Sequence, residues 1–245
     1  MTEENSKSPE EIAADIAVKK AEAKKTEAEA LKTEAETKKA LLELRQEEIK
    51  TYEAELNFRK KQAEDEQNRL YRYDGEISKP SVQKCMRKLT EWSRLDPKCD
   101  MEIVFSSPGG EIISGFELFD FIQELRCTGH KITTGSLGYA ASMAGILLQA
   151  GDVRWIGHQS WMMIHRAAFG AYGKTFEIED EVRFVRRIEE RILKIFAFRS
   201  RLSVRKIKRN WDRKDWWISA DECVEMGLVD EIRGVMPQSD LENQV

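Results

Sequence analysis

The sequence predicts an α/β domain with mostly parallel strands, preceded by a long helical arm. After residue 70, short apolar segments alternate with amphipathic helical segments, which is the pattern of parallel strands joined by helices. All 14 Gly and all six Trp lie beyond residue 74, so the first part of the chain has a different composition. Charged residues make up 34% of the 245 residues, above the roughly 25% usual for a globular domain, so part of the chain is expected to lie outside the core.

The arm is predicted from its composition. Residues 10–68 consist almost entirely of Ala, Glu, Lys, Leu and Gln, which are strong helix formers. Ser8 and Pro9, followed by acidic residues, indicate that the helix begins there. The heptad series from Ala14 to Ala63 is apolar, whereas the companion series from Ala17 is partly cationic, and a stable coiled coil needs both series apolar. A solvated charged helix, a weak self-association or docking stalk and a disordered arm therefore remain open.

The first elements of the α/β domain follow from local patterns. Residues 71–77 indicate a short strand and a turn, and the apolar run 101–105 indicates a buried strand. Apolar side chains at helical spacing predict amphipathic helices at 81–95 and at 112–122.

The remaining elements are predicted in the same way. Apolar runs indicate strands at 131–137, 155–157 and 161–164. Helical spacing indicates helices at 140–150, 175–201 and 220–226. The alternation of the two types supports one mostly parallel sheet.

Composition also excludes several classes of protein. No apolar run approaches the roughly 20 residues that cross a bilayer, and the N-terminus lacks the basic-then-apolar layout of a signal peptide. A cytoplasmic protein without membrane contact is expected. The four cysteines form no CxxC pair, which favours reduced buried thiols over zinc or disulfides. The net charge of −4 does not indicate nucleic-acid binding, and a solvated helical face accounts better for the cations between Arg199 and Lys214.

Three segments place flexible backbone or a reactive group at a strand end. In Ser107-Pro108-Gly109-Gly110 the paired glycines allow main-chain N–H groups to face a ligand, although an ordinary turn explains them as well. Ser142, among small residues at a strand-to-helix junction, would present its hydroxyl beside the N–H donors of the helix N-terminus. A helix cap explains Ser142 equally well.

His165 closes the apolar run 161–164. A histidine at a strand end is more often a structural hydrogen-bonding residue, but together with Ser142 and an acid it would complete a Ser-His-Asp triad. Asp212 and Asp215 are the downstream candidates for the acid, and their spacing does not choose between them.

These segments resemble the Clp protease proteolytic-subunit family over residues 69–233, and they occur in the order found in that family. The resemblance rests on four stretches: Ser107-Pro108-Gly109-Gly110, the segment from Gly138 to Met143, Met163-Ile164-His165, and the segment from Asp215 to Asp230. It implies a Clp-type, crotonase-like fold and a serine endopeptidase that needs neither metal nor organic cofactor.

The resemblance also implies a role for each site residue. Ser142 would be the nucleophile, His165 the general base and Asp215 the orienting acid. In the family the acid stands four residues before the Ser-Ala of the final helix, which selects Asp215 over Asp212. The backbone N–H groups of Gly110 and Met143 would form the oxyanion hole. Substrate-binding residues would be Gly109, Gly170, Ala171 and Tyr172.

The family further implies partners and a division of the chain. The expected partners are polypeptide substrates, other copies of the chain in stacked heptameric rings, and an AAA+ unfoldase that feeds the chamber. Nucleic acid and membrane are not expected as partners. The expected segments are a helical arm at 1–68, a protease domain at 69–233 and a polar tail at 234–245.

Two features depart from the family pattern. The long charged arm stands where typical members have a short mobile apolar segment, and His165 is followed by Arg166-Ala167-Ala168 instead of the usual Gln-Pro. The arm favours an alternative, a virus-encoded relative that processes capsid or scaffold proteins in the host cytoplasm without an ATPase. A non-catalytic assembly or binding protein on the same fold is the alternative from another class, and acyl-CoA chemistry on the related crotonase fold is a third.

Overall fold

A computed structural model describes residues 8–212 and 214–234 of the chain. By its internal contacts the chain divides into two units, Met1–Ala63 and Glu64–Val245. Apart from Gly234, the tail predicted at 234–245 lies outside the described residues. The helices are α1 (Pro9–Gln62), α2 (Lys79–Leu95), α3 (Ile112–Cys127), α4 (Met143–Leu148), α5 (Thr175–Arg199), α6 (Val204–Trp211) and α7 (Ala220–Glu225). The strands are β1 (Leu70–Asp74), β2 (Met101–Ser107), β3 (Ile132–Ala141), β4 (Val153–Gly157), β5 (Trp161–Ile164), β6 (Trp216–Ser219) and β7 (Glu231–Arg233).

The first unit is built on α1, which buries none of its residues. Its N-terminus has the predicted capping box, in which the Ser8 hydroxyl accepts from the Glu11 N–H and the Glu11 carboxylate accepts from the Ser8 N–H. The helix ends at Gln62 and not at the predicted 68, with Ala63 as its C-cap. The residues that follow form turns, in which Arg69 has φ 51° and the Leu70 N–H donates back to the Asp65 carbonyl. Within the described part of the chain, no helix is long and apolar enough to cross a membrane.

The second unit is built on a seven-stranded mixed sheet. Five parallel strands run in the order β1-β2-β3-β4-β7, and β5 pairs in parallel with the last part of β3. β6 pairs antiparallel with β5. The sheet and the helices packed on it enclose one apolar core, so the predicted α/β fold with a long N-terminal helix is confirmed.

The helices that flank the sheet bury one face each. On α2 the buried residues are Val82, Cys85, Leu89 and Trp92, as the helical spacing predicts. On α3 the buried face is centred on Gly115 and Leu118, whereas the predicted Phe116 and Phe119 are only half-buried. Gly115 has a packing reason, because a Cβ there would overlap the side chain of Met143.

Several predicted boundaries in the second unit are wrong. The helix predicted from 140 starts at Met143, because Tyr139–Ala141 pair with β5 and extend β3. The strands β6 and β7 were not predicted, whereas α6 carries exposed cations on a helical face as expected for this segment. The cysteines are unpaired, but Cys127 is exposed and only the other three are buried as expected.

Candidate active site

The sheet topology brings three chain segments to one place. β3 leads directly into Ser142, and its neighbour β5 leads directly into His165. Because the two strands are parallel, their carboxyl ends lie at the same edge of the sheet, where open α/β sheets bind their ligands. β6 runs antiparallel to β5 and pairs Trp216 with Ile164, so Asp215, which precedes β6, also lies at this edge.

Ser142 occupies a strained turn between β3 and α4. Its backbone has φ 54° and ψ −121°, a conformation that non-glycine residues rarely adopt and that costs about 1–3 kcal/mol. Its N–H donates to the Met163 carbonyl at 2.9 Å, which fixes the turn against β5. A sharp strand-to-helix turn of this kind lifts a serine hydroxyl clear of the backbone, as in the nucleophile elbow of α/β-hydrolases.

His165 contacts the Ser142 hydroxyl directly. Its Nε2 lies 2.7 Å from Ser142 Oγ, which is hydrogen-bond distance. For Nε2 to accept the hydroxyl proton, the ring proton must be on Nδ1. The side chain of His165 is 25% exposed, so the imidazole is accessible from solvent.

Asp215 is the carboxylate that faces the other side of the imidazole. Its Oδ1 lies 3.9 Å from His165 Nδ1, longer than a hydrogen bond, and its side chain is 60% exposed. Asp212, the other candidate from the sequence, instead lies 3.4 Å from the guanidinium of Arg166. The side chains thus follow one another in the order Ser142, His165, Asp215. In this conformation Asp215 makes no hydrogen bond to His165 Nδ1.

The glycine-rich turn after β2 lies against Ser142. Gly109 has φ 95°, and a Cβ on it would come within 2.6 Å of Ser142 Cβ and 2.9 Å of the Met143 nitrogen. Gly110 has φ 145°, and a side chain there would overlap the Ile77 carbonyl. Met143 is the first residue of α4, a position whose N–H has no acceptor within its own helix. Both glycines are therefore required to bring this turn beside the hydroxyl and the helix N-terminus.

A cavity of about 230 Å³ opens next to the Ser142–His165 pair. Ser142, Met143, Gly110 and His165 line one part of it. The remaining wall is mostly apolar and comes from α3, α4, β5 and α5, together with Pro108 and the segment 166–168, in which Arg166 is the one charged residue. Its main apolar residues are Ile112, Ile146, Met163, Ile164, Ile192 and Phe196. Sequence reasoning missed the contributions of Ile146, Ile192 and Phe196, which are ordinary core residues by pattern.

The other predicted substrate-binding residues lie outside this cavity. Gly170, Ala171 and Tyr172 belong to an irregular, exposed segment between β5 and α5, where the resemblance implied a glycine-rich strand. They are absent from the cavity wall, and Tyr172 is fully exposed. Gly109 contacts Ser142 but is likewise absent from the wall.

A second serine–histidine contact lies away from this cavity. Ser93 Oγ is 2.8 Å from His130 Nε2, and His130 Nδ1 is 2.9 Å from the Cys99 carbonyl. His130 is buried. Burial raises the pKa of the neighbouring Cys99 thiol, which keeps it protonated and unreactive. Ser93 and His130 therefore form a structural hydrogen bond, which is the alternative that the sequence left open for His165.

Comparison with known proteins agrees with the fold. The fold and the site together define an α/β protein with a serine on a strained strand-to-helix turn and a histidine directly after the adjacent strand. The Clp protease family model matches residues 59–235, which is more than half of the chain, so the chain belongs to the Clp protease family. The resemblance inferred from the sequence is thereby confirmed.

The chain is also similar to curated proteins of this family. The ATP-dependent Clp protease proteolytic subunit of Porphyromonas gingivalis is 34% identical to this chain over 139 residues. The match covers 56% of this chain and 61% of that protein, so it spans about three fifths of the relative's length.

Proposed function

We propose that this chain is a Clp-type serine endopeptidase, with residues 69–233 as its protease domain. The observation that carries the proposal is the 2.7 Å contact between Ser142 Oγ and His165 Nε2 at the edge of a cavity large enough for a side chain. The strained backbone of Ser142 supports it, because such strain at a solvent-accessible hydroxyl is typical of functional sites.

In the acylation step, Ser142 Oγ attacks the carbonyl carbon of a peptide bond while His165 Nε2 takes the hydroxyl proton. The oxygen of the tetrahedral intermediate carries the negative charge. Gly110 and Met143 are the proposed donors to it through their backbone N–H groups, aided by the positive end of the α4 N-terminus. The imidazolium then gives its proton to the leaving amine, the C–N bond breaks, and an ester on Ser142 remains.

In the deacylation step, water replaces the amine. His165 takes a proton from the water as its oxygen attacks the ester, and returns the proton to Ser142 Oγ when the acid product leaves. Asp215 is the proposed orienting group, which closes on Nδ1 and stabilises the imidazolium in both steps. Closure from 3.9 Å to hydrogen-bond distance is a small movement for an exposed carboxylate, and catalytic hydrogen bonds are often long in structures without substrate.

The cavity indicates which side chains the site accepts. Its wall beyond the catalytic atoms is mostly apolar, and a volume of about 230 Å³ suits one aliphatic or aromatic side chain. Arg166 also borders the cavity, but its guanidinium is already paired with Glu189 and Asp212, so a charged side chain would lose its hydration there without a free partner, which is costly. Peptides with an apolar residue before the scissile bond should therefore be the better substrates.

Membership of the family supports a set of partners. We propose that copies of the chain form rings around an enclosed chamber, heptameric and stacked as the resemblance implies, and that an ATP-driven unfoldase supplies unfolded polypeptide. The curated relative is named an ATP-dependent subunit. Host or bacterial cytoplasm is the compartment that this partnership requires.

A second candidate function is favoured by α1. This 54-residue helix has no buried residue, so its surface is available to bind another protein. Such an arm suits a protease that is delivered to capsid or scaffold proteins and processes them without an ATPase. The catalytic chemistry is the same in both candidates, and the substrate and the ATPase distinguish them.

The test uses the purified full-length chain. Short fluorogenic peptides with an apolar residue before the scissile bond should be hydrolysed. Matched peptides with an acidic residue at that position should not. A fluorophosphonate should block turnover and be recovered on Ser142 by peptide mass mapping. Label on another serine, or turnover that persists when Ser142 is fully labelled, contradicts the proposal. Adding an AAA+ unfoldase and a folded protein substrate then distinguishes the two candidates.

A further inference from the structure

Arg166, the residue directly after His165, makes a two-pronged ion pair with α5. Its Nε lies 3.0 Å from Glu189 Oε1 and its Nη2 lies 2.9 Å from Glu189 Oε2. This is the bidentate geometry in which a planar guanidinium fixes both position and direction. The hydrogen bond to Glu189 raises the pKa of Arg166 above its usual value, so the group stays charged.

Glu189 is an unusual partner because it is buried. Its side chain is only 12% exposed, and a carboxylate removed from water needs an ionic or hydrogen-bonding partner to offset the lost hydration. Arg166 provides that partner. The pair therefore anchors the end of β5 to the middle of α5, the helix that also supplies Ile192 and Phe196 to the cavity.

The third arm of the guanidinium reaches the segment that carries the acid. Arg166 Nη1 lies 3.4 Å from Asp212 Oδ1, and Asp212 stands between α6 and Asp215. One side chain thus joins three segments: the end of β5 with His165, the buried face of α5, and the link into β6 with Asp215. Asp215, three residues after Asp212, stands 3.9 Å from His165 Nδ1.

We propose that Arg166 is a positioning residue, which holds His165 and the Asp215 link in register so that the acid can close on the imidazole. The inference rests on the proposed function. It assigns a role to the residue at which the chain departs from the usual Gln-Pro after the histidine. Arg166 borders the cavity, but its guanidinium is taken up by Glu189 and Asp212, so its loss should lower kcat and leave KM for short peptides unchanged.

The test is a double-mutant cycle on the full-length chain. Arg166→Gln should reduce kcat by about tenfold to a hundredfold, as small misplacements of catalytic groups do, with KM within about twofold of wild type. In an Asp215→Asn background, the same substitution should add little, because the group through which it acts is already lost. The rate of fluorophosphonate labelling of Ser142 remains measurable in slow variants and gives the same comparison.

Two further variants sharpen the result. Arg166→Lys keeps the charge but loses the planar fork, so it should restore only part of kcat. Arg183→Gln is the matched control, since Arg183 pairs with Asp180 on the exposed face of α5 and should behave as wild type. If Arg166→Gln does not fold, Asp212→Asn removes only the exposed carboxylate of the cluster. It should lower kcat several-fold in wild type and have no effect in Asp215→Asn.

The contradicting outcomes are distinct from those of the proposed function. Wild-type kcat in Arg166→Gln, or an equal loss in both backgrounds, overturns the positioning role while the Ser142 chemistry stands. A raised KM at constant kcat would make Arg166 a substrate contact and also overturn it. If the wild-type chain shows no turnover or labelling that depends on Ser142, the proposed function itself fails.

Discussion

Gly109 shows how closely single residues constrain this site. Its positive φ of 95° favours glycine, and a Cβ would stand 2.6 Å from Ser142 Cβ and 2.7 Å from the Ala141 carbonyl oxygen. Such distances are not tolerated, so the turn or Ser142 would have to move. The Pro-Gly-Gly pattern indicated a turn, but only the structure reveals what the turn lies against.

We predict that Gly109→Ala lowers peptide turnover by about a hundredfold, since it displaces Ser142 or the oxyanion donors. Gly75→Ala is the matched control. Gly75 also has a positive φ, 87°, but nothing lies within 4 Å of its added Cβ. Gly75→Ala should lower the free energy of unfolding by about 1–2 kcal/mol through backbone strain alone, and it should keep wild-type kcat. Equal turnover in the two variants would show that close packing at Gly109 does not matter.

The choice of acid is a second question at this scale. Asp215→Asn should reduce kcat by about 10⁴-fold, because the imidazole loses the group that fixes its tautomer and stabilises its charge. Asp212→Asn should cost no more than about tenfold, since its carboxylate faces Arg166 and not the imidazole. Steady-state kinetics on the two variants with one short peptide check this. The reverse ranking would assign the triad to Asp212.

Sequence reasoning singled out Ser142 because small residues surround it at a strand-to-helix junction, and His165 because it closes an apolar run. It did not choose between Asp212 and Asp215 without the family resemblance. The physical reason is that the choice depends on the register of β6 against β5, and a four-residue strand following a cationic helix carries no periodic signal. Arg166 and Glu189 were missed for a related reason, because a pair 23 residues apart leaves no local pattern.

At the scale of elements, α1 and β3 illustrate which element boundaries a local sequence pattern can predict and which it cannot. The composition and the Ser8 cap predicted both the existence and the start of α1, since these depend on neighbouring residues only. The extension of β3 to Ala141 was missed because Tyr139–Ala141 have helix-compatible residues and become strand only through pairing with β5. Tertiary pairing decided that boundary.

We expect α1 to be dispensable for the fold of the second unit. Because none of its residues is buried, deletion of residues 1–63 removes no apolar burial from the core. The free energy of unfolding of the remaining chain should change by no more than about 0.5 kcal/mol. Short-peptide turnover should be kept, while the processing of protein substrates changes.

We would test this prediction on the deletion variant by measuring its thermal melting, its native mass and its peptide turnover. As a comparison, glutamine at Leu42, Ile49 and Leu56 keeps the helix but removes the apolar anchors of its one apolar heptad series. If the deletion loses both the oligomer and peptide turnover, α1 is an assembly element and not a docking arm.

At the scale of the whole molecule, a buried arginine on β4 links several chain segments at the edge of the sheet formed by β4 and β7. Arg154 on β4 is 6% exposed, and its Nε and Nη2 pair with Asp230 at 3.1 and 2.6 Å. Its Nη1 also donates to the carbonyls of Arg199 and Leu228. One guanidinium thus joins β4, the end of α5 and the segment before β7.

This cluster makes the stability of the fold depend on pH. Burial acts to raise the pKa of Asp230, but the hydrogen bonds and charge of Arg154 outweigh it and leave the pKa below its usual value. A carboxyl whose pKa is lower in the folded state stabilises the fold above its unfolded pKa of about 4, and that contribution is lost as the pH falls through the folded pKa. Asp230→Asn should therefore lower Tm at pH 7, and the difference from wild type should shrink below about pH 4. Melting curves at the two pH values test this, and a constant difference would contradict it.

The central claim is that the hydroxyl of Ser142 performs peptide-bond hydrolysis with His165 as its base. The most direct measurement compares Ser142→Ala with Ser93→Ala in peptide turnover and fluorophosphonate labelling. Both substitutions remove a serine hydroxyl bonded to a histidine, at 2.7 Å in the first and 2.8 Å in the second. Ser142→Ala should lose labelling and about 10⁴-fold or more in kcat with its native mass unchanged, whereas Ser93→Ala should keep both activities. Substantial turnover by the Ser142→Ala protein would contradict the claim.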